Sequence, residues 1–165
     1  MECIYPGSFD PVTFGHLDII TRLDGLFDRV VVGVLHNPEK QGFFTPEERI
    51  DMLRECCSGL RHVELVLWGG LLVDMAKEMQ IRTIVRGFRS TGDMESEVAM
   101  LRVNRMLYPA LETLLMPTSP ETEGISSSVV RQVAAFGGDL SSLVPPSVDQ
   151  RVRQKISQRK INTAK

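Results

Sequence analysis

Val30-Val31-Val32-Gly33-Val34-Leu35 is an apolar run with no polar interruption. A strand with one wet face alternates polar and apolar residues. A strand buried on both faces reads as this one does, which is the habit of parallel sheets. Helical spacing lies on either side of it. Leu17, Ile20, Leu23 and Phe27 form one apolar stripe upstream, with Asp18 and Arg22 on the other face. Downstream, Thr45-Pro46-Glu47-Glu48 is a strong helix start. Thr is the N-cap, Pro opens the helix, and Glu48 completes a capping box. Ile50, Leu53 and Cys57 continue its buried stripe.

The same alternation extends to both ends. Short strands are predicted over residues 2–5, 63–67, 82–85 and 111–116. Helices are predicted from Leu72, Met75, Ala76 and Met79, near 93–107, over 126–136 before Gly137-Gly138, and over 147–158 after Pro145-Pro146. Five strands alternating with helices imply right-handed crossovers and a doubly wound, Rossmann-like α/β fold with a five-stranded parallel sheet. No linker or repeat divides the chain. The expected organisation is one domain over residues 1–150, followed by a basic end over 151–165.

The 165 residues are 42% hydrophobic and 24% charged, ordinary values for a globular domain. No stretch approaches the roughly 20 apolar residues of a membrane span. MECIYPGSFDP lacks the basic and apolar regions of a signal peptide, so a cytoplasmic location is expected. Cys3, Cys56 and Cys57 have no metal-ligand spacing and read as small buried hydrophobes. Net charge is −2, but residues 151–165 hold six basic residues and no acidic one. The other 150 therefore hold 13 basic against 21 acidic, a net of −8. Such a body is a poor nucleic-acid binder. The basic end reads as a solvated terminus, with a contact to RNA or a partner as the sharper alternative.

Open α/β sheets bind ligands beyond the carboxyl ends of their strands, at the switch point of the topology. Three unusual segments fall at predicted strand ends: residues 5–16, 86–89 and 122–131. The first, Pro6-Gly7-Ser8-Phe9-Asp10-Pro11-Val12-Thr13-Phe14-Gly15-His16, is a turn leading into a helix N-terminus. Such a junction favours an anion. His16 falls in the first helical turn, where its ring either caps the helix or donates to a phosphoryl oxygen. Neither a P-loop nor a GxGxxG fingerprint is present. Trp68-Gly69-Gly70 either shapes a pocket or makes a turn.

G-S-F-D-P-x-T-x-G-H resembles the signature of the (T/H)xGH nucleotidyltransferase superfamily. Thr13 at the first motif position points to its bacterial phosphopantetheine adenylyltransferase branch. Arg86-Gly87-Phe88-Arg89 with Asp93, Glu95 and Glu97, Lys40 before TPEER, and Ile125-Ser126-Ser127-Ser128-Val129-Val130-Arg131 resemble further segments of that branch. The resemblance runs from about residue 3 to residue 150. It implies transfer of AMP from ATP to 4′-phosphopantetheine, giving dephospho-coenzyme A and pyrophosphate by in-line displacement, without a covalent enzyme intermediate.

The resemblance also implies roles. His16, Lys40 and Arg89 are the catalytic candidates. Ser8, Lys40, Leu72 and Arg86 are the phosphopantetheine candidates. ATP falls to Ser8, Phe9, His16, Gly87, Phe88, Arg89, Glu97, Thr122, Glu123, Gly124, Ile125, Ser126, Ser127 and Ser128. Mg²⁺ is expected on the ATP phosphates, with no protein metal site. A homohexamer, inhibition by coenzyme A, and no nucleic-acid or membrane partner are implied in the same way. Phe14 replaces a usual Asn, and Thr122 replaces a frequent aromatic residue. Thr122-Glu123-Gly124-Ile125-Ser126 also resembles a cytidylyltransferase segment. A cytidylyltransferase is thus the alternative enzyme, and a non-catalytic nucleotide-binding protein the alternative class.

Overall fold

The computed structural model describes residues 1–37 and 41–163, with side chains through residue 159. Five strands form one parallel sheet: β1 (Glu2–Gly7), β2 (Arg29–Leu35), β3 (Val63–Trp68), β4 (Thr83–Phe88) and β5 (Glu112–Pro117). Their order is β3-β2-β1-β4-β5. The helices are α1 (Phe14–Asp24), α2 (Pro46–Cys56), α3 (Leu72–Glu78), α4 (Thr91–Leu107), α5 (Ser127–Ala135) and α6 (Pro146–Thr163). A single 3₁₀ turn spans Pro120–Thr122.

The central strands bury both faces. On one side Cys3, Tyr5, Val30, Val32 and Val34 pack with Ile19, Leu23, Met52 and Leu53 of α1 and α2. On the other, Ile4, Val31 and Ile84 pack with Val73, Met75 and Ala76 of α3. The period of two in a strand sends alternate valines to opposite cores, as the unbroken run requires. The first strand outruns its apolar residues, because Pro6 and Gly7 still pair with Gly33 and Val34.

The order reverses beside β1. From β1 the chain winds through β2 to β3, then crosses back to place β4 on the other side of β1. The crevice this leaves lies between the carboxyl ends of β1 and β4. Segments 70 residues apart in sequence, Gly7–His16 and Arg86–Arg89, therefore share one rim.

The C-terminal helix differs from a solvated end. Val148 and Val152 are fully buried, one helical turn apart. Lys155 reaches both carboxylate oxygens of Glu48 at 2.7 Å, and Arg151 lies 3.3 Å from Glu55. Arg159 sits over the Phe43 ring at 4.5 Å. Arg151, Lys155 and Arg159 thus face α2 and the segment before it, while Arg153 pairs with Asp149 on its own helix. The high charge of the segment masks a two-valine stripe, which is why composition alone suggested a free end.

Candidate active site

The turn from β1 into α1 is built around two side chains. Phe9 has φ +48, in the left-handed region, and is fully buried. Its ring packs edge-on against Tyr5 and His16, with centroids 5.9 and 4.9 Å away. A Cβ at residue 7 would lie 2.8 Å from the Phe9 ring, so only Gly7 leaves room for it. Thr13 caps α1 and forms a capping box with His16 in the third helical position.

That box fixes the chemistry of His16. The Thr13 backbone N–H donates to His16 Nδ1 at 3.0 Å. Nδ1 is thus an acceptor, and in the neutral ring Nε2 carries the proton. Among the described residues, Nε2–H has no partner, and His16 borders a partly enclosed cavity at the crevice. Burial, with the charges of Arg89 and Arg86, pushes the imidazole down to about 4. At neutral pH it is an uncharged donor.

The two arginines are held from α4. Arg86, on β4, makes a bidentate pair with Glu97, with Nε and Nη2 each 2.7 Å from a carboxylate oxygen. Its Nη1 donates to the Pro6 carbonyl at 2.7 Å. Burial works against the charged guanidinium, but the hydrogen bonds and the charge of Glu97 together more than offset it and raise its pKa above the ordinary value. Arg89 donates from Nε to Asp93 at 2.7 Å and from Nη1 to the Ile125 carbonyl at 3.4 Å. Asp93 and Glu97 are four residues apart, on one face of α4.

Facing them is the N-terminus of α5. Ser126 accepts from the Val129 N–H at 3.2 Å, as an N-cap does. Ser127 Oγ donates to the Pro11 carbonyl at 2.8 Å, tying α5 to the β1 turn. Arg131 of the same helix donates to the Asp10 carbonyl.

The enclosed cavity has a volume of about 310 Å³. It gathers Ser8, His16, Arg86, Gly87, Arg89, Glu97, Ile125, Ser126, Ser127 and Ser128. Other predicted residues lie elsewhere. Phe9 is turned back into the core by its positive φ and stands behind the cavity. Phe88 is not on its lining. Thr122 borders a separate cleft with Phe14 and Leu17, and its hydroxyl donates to the Ser119 carbonyl at 3.1 Å. Glu123 and Gly124 border an adjoining opening with Arg89 and Asp93. Leu72 is half-buried and packs against the core face served by α3. Lys40 lies outside the described residues.

Sequence reading passed over Ser96 and Thr118 as lining residues. Thr118 gave no signal, and its buried hydroxyl finds no partner among the described residues. Trp68-Gly69-Gly70 is a turn, held by Trp68 Nε1 donating to the Leu71 carbonyl at 3.0 Å. Gly70 also borders a second cavity, of about 410 Å³, with Ser8, Asp10, His36, Gly42 and Arg49. Ser8 is shared by both cavities.

A family model described as cytidylyltransferase-like matches residues 4–133. A phosphopantetheine adenylyltransferase of Synechocystis sp. is 45% identical over 148 residues, covering 90% of this chain and 93% of the relative. One from Caldanaerobacter subterraneus subsp. tengcongensis is 46% identical over 152 residues, covering 92% and 95%. The chain belongs to the phosphopantetheine adenylyltransferase family. A solved structure assigned as a nicotinate-nucleotide adenylyltransferase of Vibrio parahaemolyticus has a TM-score of 0.68 at 18% identity, covering 94% of this chain and 93% of that one. That likeness carries the fold. As a member of the phosphopantetheine adenylyltransferase family the chain is a nucleotidyltransferase, and the three motif regions quoted from the sequence all fall within the matched residues.

Proposed function

We propose that the crevice transfers the adenylyl group of ATP to 4′-phosphopantetheine, forming dephospho-coenzyme A and pyrophosphate in coenzyme A biosynthesis. The observation that carries this is His16: a neutral ring, its Nε2–H without a partner among the described residues, lining one cavity with two arginines and a helix N-terminus. Such a donor stabilises charge that grows on an α-phosphoryl oxygen, and its lowered pKa leaves almost no imidazolium at neutral pH to act as a general acid.

The steps follow from chemistry. A phosphate monoester is already nucleophilic at neutral pH. One of its oxygens attacks the α-phosphorus as the bond to the β-phosphate oxygen breaks, and pyrophosphate leaves with the electron pair. No covalent enzyme intermediate is needed, so positioning and electrostatics do the work. His16 would hold the α-phosphate. Ser126, Ser127 and Ser128 would cradle the β- and γ-phosphates at the α5 N-terminus, with Arg89 beside them. Ser8, Lys40 and Arg86 would take the acceptor phosphate, and Leu72 the pantetheine arm. Ser8 borders both cavities, as a group between two substrates should.

The donor set also bears on magnesium. Among the described residues no three His, Cys, Asp or Glu side chains cluster as a metal site, and Asp93 and Glu97 are engaged with arginines. These residues suit Mg²⁺ arriving on ATP and keeping its waters, where it spreads the phosphate charge.

We assign the catalytic unit to residues 1–150, with 151–165 as its basic end. We also assign a homohexamer. The 17-residue helix α4 has no buried residue in the single chain, and Met100, Val103, Met106 and Leu107 on it, with Leu114 on edge strand β5, are exposed. An apolar face of this kind supports the reading, since it suits burial against another protein surface. Light scattering should give six times the chain mass. A monomer would contradict the assignment. Coenzyme A, which shares the product's adenylate and pantetheine parts, is proposed as an inhibitor. A cytoplasmic location suits the free thiols of Cys3, Cys56 and Cys57. Among the described residues no helix is long and apolar enough to cross a membrane.

The test of the activity is pyrophosphate release with ATP or CTP, each with and without 4′-phosphopantetheine. Release should require ATP and the acceptor together. Release with CTP and none with ATP would overturn the reading.

A further inference from the structure

We propose that Arg49 is a positioning residue for the acceptor: through Asp10 it locks the segment 41–44 onto the Ser8 turn and so sets the shape of the acceptor-side cavity. The inference rests on the reading of the acceptor site given above.

Arg49 belongs to α2, far from the motif turn in sequence, and is 6% exposed. Its Nε and Nη2 donate to the Phe44 carbonyl at 2.9 and 2.8 Å. Its Nη1 donates to the Ser8 carbonyl at 3.3 Å. Its Nε also lies 3.5 Å from the Asp10 carboxylate. That carboxylate accepts from the backbone N–H groups of Phe43 and Phe44, both at 2.7 Å. Every one of these bonds other than the ion pair itself ends on backbone. They end on two segments only, the Ser8 turn and residues 43–44.

Gly42 completes the clamp. A Cβ there would fall 1.7 Å from Arg49 Nη2, so the backbone closes directly over the guanidinium. Asp10, Gly42 and Arg49 all border the second cavity with Ser8. None of the three borders the cavity that holds His16 and the arginines. The clamp therefore acts on one side of Ser8. A buried ion pair kept for stability alone has no reason to spend all its hydrogen bonds on the two walls of a cavity. The planar fork of arginine suits three simultaneous carbonyl and carboxylate contacts, and lysine does not.

The experiment is steady-state kinetics on the full chain, with each KM measured separately. Arg49→Lys keeps the charge and removes the fork. Gly42→Ala keeps the ion pair's groups and pushes the guanidinium aside. In both variants KM for 4′-phosphopantetheine should rise by about tenfold or more, as expected for an ångström-scale misplacement, while KM for ATP stays within about twofold. Equal rises in the two KM values, or no change in either, would overturn the proposal. If Arg49→Lys does not fold, as judged by circular dichroism, Gly42→Ala decides on the same criterion. Failure of both to fold would mark a purely structural role and overturn it. An unmodified chain that makes no dephospho-coenzyme A would overturn the activity itself, a result distinct from a changed KM pattern.

Discussion

His16→Ala lowers kcat by about 10²- to 10³-fold, the size expected for removing one preorganised donor from a developing oxyanion. The structure adds a second effect. His16 Nδ1 accepts the Thr13 N–H in the capping box, so alanine also leaves a helix-start donor unpaired. Losing that contact costs about 1 kcal/mol, a fall in Tm of about 2–4 °C for a chain of this size. His16→Gln separates the two. Glutamine is a normal third residue of a capping box, so Tm should be largely kept while turnover is still lost. Retained turnover in either variant would remove His16 from the transition state.

The state of the ring is testable in the same protein. Its folded pKa, about 4, lies below the ordinary 6.5. The folded chain therefore favours the neutral imidazole. The stability this confers is fully present above pH 6.5 and is lost as pH falls towards 4. Nitrogen NMR of the free protein at pH 6 should show Nδ1 bare and Nε2 protonated. A charged ring at that pH would contradict the donor assignment.

Arg86→Ala has the next largest effect. The substitution removes a guanidinium with two bonds to Glu97 and one to Pro6, and leaves Glu97 without its cation. The Glu97 side chain is 17% exposed, so the loss is less than that of a fully buried pair, about 1–3 kcal/mol. The Pro6 carbonyl also loses the Arg86 donor. On activity the expected change is a fall in kcat/KM for 4′-phosphopantetheine of about 10²-fold, the usual size for a charged hydrogen bond. Arg86→Lys should recover part of the loss, because a point charge replaces the fork. Full activity in Arg86→Ala, measured where the variant is folded, would mean that Arg86 serves Glu97 and no substrate.

Much of this fold could be read from hydrophobic spacing. The Val30–Leu35 run and its neighbours specify buried strands, and alternation with helices specifies the parallel sheet. The rule that ligands bind beyond strand ends then brings Ser8, His16, Arg86 and Ser126 together without any coordinates. What spacing does not carry is the direction of a side chain that departs from the local pattern. At Phe9, φ is +48 and the ring packs beneath Gly7. At Thr122 the 3₁₀ turn ties the hydroxyl to the Ser119 carbonyl. Pairings between distant segments are equally silent. Asp18 holds the Ser119 backbone and hydroxyl at 2.8 and 2.7 Å, 101 residues away, although it read as a solvent-facing helix residue. Arg49 and Asp10 are the same case. The helix over 147–158 was legible after Pro145-Pro146, but composition did not show that Val148 and Val152 on it are fully buried.

A crystal structure of the protein with a non-hydrolysable ATP analogue tests the assignment of the crevice most directly. The α-phosphate should lie within hydrogen-bond distance of His16 Nε2, and the β- and γ-phosphates should lie at Ser126–Ser128. A triphosphate bound with its α-phosphorus away from His16, on the far side of Arg89 or in the cleft of Phe14 and Thr122, would contradict it.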